Sequence, residues 1–514
     1  MPQPQAFDCV VIGAGNGGLS AAAQLAAKGV KTLLLEQHNL PGGFATSFRR
    51  GRFEFEAALH EFADIGSPTE KGGVRTYLED ELGVHLDWVE VPEAFRLILT
   101  DPGHEMDITM PYGVEAYIDA LERHVPGSRE AVTRYVELCD EVGAAFNYLG
   151  QSRGNPDRKV LTSQYANFLK TCPYSMEQVA NALRIPQRAK DILHAQWTYI
   201  GPSADRLNFT IYAAMMSKFI HYSAYIPRQR SHQFSSVVLA RFRELGGEVR
   251  LNTRAEQVLV EDGRITGVVT SQGDRIATHH VISNASATSV YSRLIAPQEA
   301  VPELARRQCN ARVQGLAGFV VYLGLDAPLH ELGIDEYSIF VYANMDTAEM
   351  YQTFGRLAAP KVQAAMCLNN ALPDCSPAGT SMITITTLFR PDVWSRVTPK
   401  DYVKTKSRIA SDLIADLANA TGAPLHDHIE EIEVATPLTF ARYTGTHAGT
   451  IYGYEPEPWD SLIPRMMSMP ADKVIQGLEF CGGYAFRCHG YSSSFMSGQT
   501  AALLTLRELN QEGR

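Results

Sequence analysis

The chain has 514 residues, 45% hydrophobic and 20% charged, a balance that supports folded cores and excludes a disordered or collagen-like protein. Its 57 acidic against 46 basic residues give a formal charge of −11, which repels phosphate backbones and argues against general nucleic-acid binding. The length suits two to four folding units or one large composite.

The opening stretch, Met1 to Phe7, is polar and lacks a basic start, so no signal peptide is expected. No apolar run reaches the roughly 18–20 residues of a membrane span. The longest clean run, Gly315 to Leu325, suits a buried strand. Eight cysteines are scattered without a C-x-x-C pair. That spacing argues against a disulfide framework or a zinc site, and the expected setting is a reducing cytoplasm.

Phe7 to Ile12 reads as a buried strand and runs into Gly13-Ala14-Gly15-Asn16-Gly17-Gly18, which satisfies G-x-G-x-x-G. Leu19 to Lys28 is Ala-rich and helical, Gly29 is a natural cap, and Val30 to Leu35 is a second strand closed by Glu36. Each residue type has a physical task. Gly13 permits the tight turn, Gly15 lets backbone approach a pyrophosphate, and Gly18 lets helix and strand pack closely. Asn16 and Gly17 open the helix, whose free N–H groups and positive dipole end face the phosphates. Glu36 can accept hydrogen bonds from a ribose diol. Strand, turn, helix, strand and acid together predict binding of an ADP-containing dinucleotide.

A second glycine pair follows in Pro41-Gly42-Gly43-Phe44-Ala45-Thr46-Ser47-Phe48. Pro41, Gly42, Gly43, Ser47 and Phe48 match the pattern P-G-G-x-x-x-[ST]-F. Here the chain resembles the FAD-dependent family of bacterial-type phytoene desaturases, carotenoid isomerases and retinol saturases. That family belongs to a larger group with amine oxidases and Rab GDP-dissociation inhibitors. The resemblance implies FAD as cofactor, with Gly42, Gly43 and Ser47 along it. It also implies an α/β fold, a Rossmann-type FAD-binding domain carrying an inserted α+β substrate-binding domain.

The resemblance continues through most of the chain. Phe55 to Phe62 looks like the saturase stretch F-D-x-G-I-H-Y-I, with His60 on its histidine and Ala58 in place of the glycine packed against the flavin. Phe234 to Asn284 follows a family middle segment that implies adenine contact at the Ala255 backbone and a V-I-S-N-A strand end at Asn284. The tail resembles A-G-x followed by G-V-P-G-V-x-G-S-G, and places Gly483, Tyr491, Ser493 and Ser494 at the flavin. Ser492 and Ser493 replace the family's Pro-Gly. An apolar helix, Gln499 to Leu509, follows.

The FAD-like pieces are expected at 1–75, 225–290 and 430–514, with 76–224 and 291–429 forming a substrate-binding half. The first insertion reads as helical over Val74 to Leu82, Val114 to His124 and Ser128 to Leu149. Asn208 to Ile226 leaves two readings open. It is a core helix, or an amphipathic element that lines an apolar tunnel or makes peripheral membrane contact.

His60 is the leading catalytic candidate, as a proton donor or substrate-orienting group, while Glu61 beside it reads as structural. Arg228 and Arg230 stand where the family has glycines, and their forks suit an anionic end of the substrate or a solvated surface pair. Arg487 and His489 precede the last glycine turn and are candidates to face the flavin. No metal site is expected. No second G-x-G-x-x-G follows a strand, so an NAD(P)H site within the chain is unsupported, and electrons go to oxygen, a quinone or a separate donor, or the flavin acts without net turnover of electrons as in a redox-neutral double-bond isomerase. The favoured activity is an FAD-dependent oxidoreductase acting on carbon–carbon bonds of a hydrophobic polyene or isoprenoid-like substrate, by hydride transfer at flavin N5. The alternatives are a flavin-dependent oxidase of an amine or other small substrate, and a binding protein like the GDP-dissociation inhibitors.

Overall fold

Two short runs of uniformly apolar side chains, Cys9–Ile12 and Thr32–Leu35, are buried at every position, as strands covered on both faces must be. In the computed structural model, which describes residues 6–152, 156–460, 474–485 and 489–513, they form the centre of a parallel sheet. Its five strands run in the order Leu478–Phe480, Val281–Ser283, Cys9–Ile12, Thr32–Leu35, Glu248–Arg250. Every neighbouring pair is parallel, so segments hundreds of residues apart end on the same edge.

The helix Asn16–Ala27 packs on this sheet, and the last helix, Tyr491–Gln511, crosses it at contact distance. The crossing depends on missing side chains. A Cβ on Gly498 would lie 2.0 Å from the Gly17 carbonyl oxygen, and one on Gly18 would lie 1.9 Å from that of Gly13. A smaller sheet, Arg275–Ala277, Arg264–Thr270, Ala255–Glu261, Ile295–Ala296, flanks the first. Its hairpin turns at Asp262 and Gly263, both at positive φ (49° and 75°), as a type I′ turn requires.

The other half is a seven-stranded sheet in the order Ile429–Ala435, Ala317–Leu325, Ser381–Phe389, Val362–Cys367, Ser338–Tyr342, Phe95–Leu99, Met106–Met110. Helix Tyr402–Thr421 covers one face, and a helical layer that includes Arg129–Gln151 and Phe209–Tyr222 covers the other. Three segment boundaries therefore differ from expectation. Ile429–Ala435, in the stretch from 430 expected with the dinucleotide half, pairs antiparallel with Ala317–Leu325. Tyr225–Pro227 pairs with Trp88–Glu90 of the first insertion, and Ile295–Ala296, past 290, joins the flanking sheet. Period-two alternation marks a strand and its faces but carries no information on its partner.

Asn208 caps the helix Phe209–Tyr222, its Oδ1 accepting from the Thr210 and Ile211 N–H groups at 3.1 and 3.4 Å. Most of that helix is buried, which makes it a core element, and one of its faces lines a large cavity. Among the described residues no helix is long and apolar enough to cross a membrane.

Candidate active site

A single cavity of about 1250 Å³ runs from the carboxyl edge of the parallel sheet to the seven-stranded sheet. Gly13, Gly15, Asn16, Gly17, Glu36, Gly42 and Gly43 line it at one end, joined by Ala255, Asn284, Gly483, Tyr491, Ser493 and Ser494. Ala58 and His60 lie along the same space. The opening glycine turn and the tail thus meet on one cavity.

Backbone forms most of the first end. The Gly42 N–H donates to the Ala14 carbonyl at 2.8 Å and ties the second glycine pair to the first. Gly42 sits at φ +118°, where a Cβ would also lie 2.2 Å from the Ala45 carbonyl oxygen. Gly15 and Gly17 leave no room for side chains either: a Cβ on Gly15 would be 2.5 Å from Asn284 Nδ2, and one on Gly17 2.5 Å from the Gly482 nitrogen. Glu36 Oε2 accepts from the Ala14 N–H at 2.6 Å, and its Oε1 from the His38 N–H at 2.9 Å, which fixes the carboxylate at the strand end. Two helices begin here, at Asn16 and at Tyr491, each with first-turn N–H groups that have no partner inside the helix. Asn16 Oδ1 is buried without a hydrogen-bond partner. Narrow glycine cradle, paired helix ends, an acid and an orphaned acceptor fit a dinucleotide such as FAD.

Gly18 and Ser47 are not on the cavity. Gly18 serves helix–strand packing, as the 1.9 Å approach requires. Ser47 lies in the hairpin strand Ser47–Arg50, where its hydroxyl donates to Glu54 Oε1 at 2.6 Å, and it does not line the cavity where it was expected. Arg228 and Arg230 are corrected too, since neither reaches the cavity. Arg228 Nε donates to Asp87 Oδ2 at 2.6 Å on the surface. Arg230 is buried and its Nη2 donates to the Cys375 carbonyl at 2.6 Å. Both guanidinium groups are engaged in structural contacts.

The second end is made of side chains. Ile211, Ala214, Met215 and Phe219 present one helix face, and Ala364 and Leu388 on the seven-stranded sheet contribute to the lining. Lys218, on the same helix face, is paired with Asp64, whose other oxygen accepts from the Gly73 N–H at 3.0 Å. Between the two ends stands a buried polar group. His60 Nε2 is 3.0 Å from Ser338 Oγ and the Tyr337 hydroxyl donates to the His60 carbonyl. Glu61 also lines the cavity; its Oε1 accepts from the Tyr199 hydroxyl at 2.8 Å, and its Oε2 has no hydrogen-bond partner. Burial pushes the His60 pKa down to about 3 and the Glu61 pKa up to about 8. The 3.7 Å approach of His60 Nε2 to Glu61 Oε2 therefore joins two neutral groups at pH 7 and not an ion pair.

His489 lines the cavity, stacked on Tyr452 with ring centroids 4.5 Å apart, while Arg487 lies outside the described residues. Glu61, Tyr199, Lys218 and Asp64 were not predicted as site residues. Only the position of Glu61 beside His60 could have marked one of them.

The profile of the family described as flavin containing amine oxidoreductase matches residues 17–503. The chain belongs to that family. As a member of this flavin family it is an FAD-dependent oxidoreductase. It is similar to all-trans-retinol 13,14-reductase of Danio rerio, 25% identical across 99% of this chain and 88% of that protein. It is also similar to the chloroplastic prolycopene isomerase of Daucus carota, 24% identical across 98% of this chain and 81% of that one. Among solved structures, a redesigned putrescine oxidase aligns with a TM-score of 0.66 at 14% identity, covering 98% of this chain and 100% of the other. An oxidoreductase from Methanosarcina mazei aligns with a TM-score of 0.62 at 15% identity, covering 97% and 99%. These two likenesses are likenesses of fold.

Proposed function

We propose that this flavoenzyme changes carbon–carbon bonds of a hydrophobic polyene or isoprenoid-like substrate, by desaturation, saturation or isomerisation. The carrying observation is continuity: one cavity joins the glycine cradle to an apolar chamber walled by Ile211, Met215, Phe219 and Leu388. The names of the retinol reductase and the prolycopene isomerase, which cover most of this chain, support a polyene.

Gly15, Gly17, Gly42 and Asn16 would hold the FAD phosphates and Glu36 its ribose, while Ala58 would border the ring. FAD, when bound, supplies hydride acceptance or donation at N5. The aliphatic chamber buries an apolar chain and excludes water from it. His60, neutral and in contact with Ser338, orients rather than protonates at pH 7. The chamber is a poor host for an ammonium. Glu61 is held uncharged by burial and Asp64 is already paired with Lys218.

Asn147 and Gly150 line the cavity and are exposed, and we propose that substrate enters past them. Electrons are exchanged with an external partner.

The test is optical. Purified protein should show flavin absorption bands, and the dithionite-reduced or oxidised enzyme should change its spectrum with all-trans-retinol under anaerobic conditions. A colourless chain that takes up no FAD would instead be a binding protein. Bleaching by amines, with no response to polyenes, would move the reading to amine oxidation.

A further inference from the structure

We infer that Glu61 is the acid that delivers a proton to substrate carbon, with Tyr199 positioning it. The inference deepens the proposed function and rests on it.

Four observations meet at this residue. Glu61 lines the cavity between the glycine cradle and the apolar chamber. Its side chain is 1% exposed, so water does little to stabilise its charged form. Tyr199 donates to Oε1 at 2.8 Å and leaves Oε2, the oxygen without a hydrogen-bond partner, to carry the proton. Burial opposes its ionisation most strongly, and it outweighs the Tyr199 hydrogen bond, which favours the charged form. Glu93, which accepts from the Tyr337 and Ser338 N–H groups, adds negative charge, and His60 is neutral. Tyr112, also buried, has a hydroxyl without a partner. Lys218 on the chamber wall is paired with Asp64. A carboxyl in such a place is an acid at neutral pH.

His60 cannot take this part, because its imidazole carries no acidic proton near pH 7 and Nε2 is in contact with Ser338.

The chemistry balances. Saturating a double bond breaks the π bond and forms two C–H bonds. The hydride comes from the flavin, reduced beforehand by an external two-electron donor, and the proton from Glu61 Oε2, whose O–H bond breaks. The carboxylate that remains keeps the Tyr199 hydrogen bond and regains a proton from solvent.

The experiment uses the FAD-loaded full chain with all-trans-retinol as probe and dithionite as electron donor, in wild type, Glu61→Gln and Tyr199→Phe. Gln keeps the size of the side chain and an acceptor for Tyr199 but gives up no proton. Infrared difference spectra between wild type and Glu61→Gln read the carboxyl directly, without turnover. Expected are a protonated-acid band at pH 7 that fades as pH rises through about 8, and a single-turnover rate roughly 10²–10⁴-fold lower in Glu61→Gln with its flavin content kept. Tyr199→Phe should retain turnover but shift the pH at which the band fades. Equal rates and pH profiles in wild type and Glu61→Gln, or no such band at pH 7, overturn the inference and leave the polyene reading standing. A wild type that binds retinol without reducing it, while retinol displaces the Glu61 band, sinks saturation and supports the contact. No turnover together with an unmoved band overturns both.

Discussion

The two ends of the cavity are built from different materials. The cofactor end is backbone: glycines at positions 13, 15, 17, 42 and 43, two helix starts and one fixed carboxylate. Beyond it the cavity is side chain, with His60 against Ser338, Glu61 against Tyr199 and Lys218 against Asp64, pairs brought together from separate elements. Backbone sites demand glycine at set spacings and leave a signature in the sequence. A pocket made of side chains asks only that each lie at the right place in space, and many residue types can do so.

The sharpest way to break the contrast is at the cradle. Gly18→Val sets a branched side chain where a Cβ already comes within 1.9 Å of backbone. It should cost about 3 kcal/mol or more in denaturant unfolding and lower the flavin-to-protein absorbance ratio. An unchanged ratio would mean that the close helix–strand approach is dispensable.

Glu61→Gln probes the other end by stability. The folded-state pKa of Glu61 is raised from 4.5 to about 8, so the contribution of the neutral acid is whole below about 4.5 and is lost as pH rises through about 8. Gln stays uncharged throughout. The variant should therefore gain on wild type between about pH 4.5 and 8, by roughly 3 kcal/mol at pH 7. His60, lowered from 6.5 to about 3, acts in the opposite sense and over a lower window. A pH-independent difference in melting temperature would show that Glu61 is ionised in the fold.

Arg228→Ala should do least. Its partner Asp87 is exposed, so the loss is under about 0.5 kcal/mol and the KM for a polyene is unchanged. A KM shift comparable to one from the chamber wall, such as Phe219→Ala, would bring the surface arginine back into the site.

The dinucleotide strand, turn, helix and second strand were legible because each rests on local chemistry: apolar runs for buried strands, glycines where backbone crowds, an acid at the strand end. The tail was legible through resemblance despite Ser492 and Ser493, because the helix start that it delivers uses main-chain N–H groups. Ser47 misled, since a hydroxyl suits a cofactor and a hairpin partner equally well. Arg228 and Arg230 misled for a related reason: a guanidinium fork does not reveal whether a ligand, an Asp87 or a Cys375 carbonyl awaits it.

By itself the amino-acid order determined the nucleotide end of this protein, because close approach of backbone to phosphate tolerates almost no residue but glycine. Only the tertiary structure decided which acid faces the chamber, that His60 is neutral, and that Ile429–Ala435 belongs to the seven-stranded sheet. Burial, proximity and strand partnership are properties of three-dimensional packing. They shift a carboxyl's pKa or join a strand to a sheet through neighbours that lie far away along the chain.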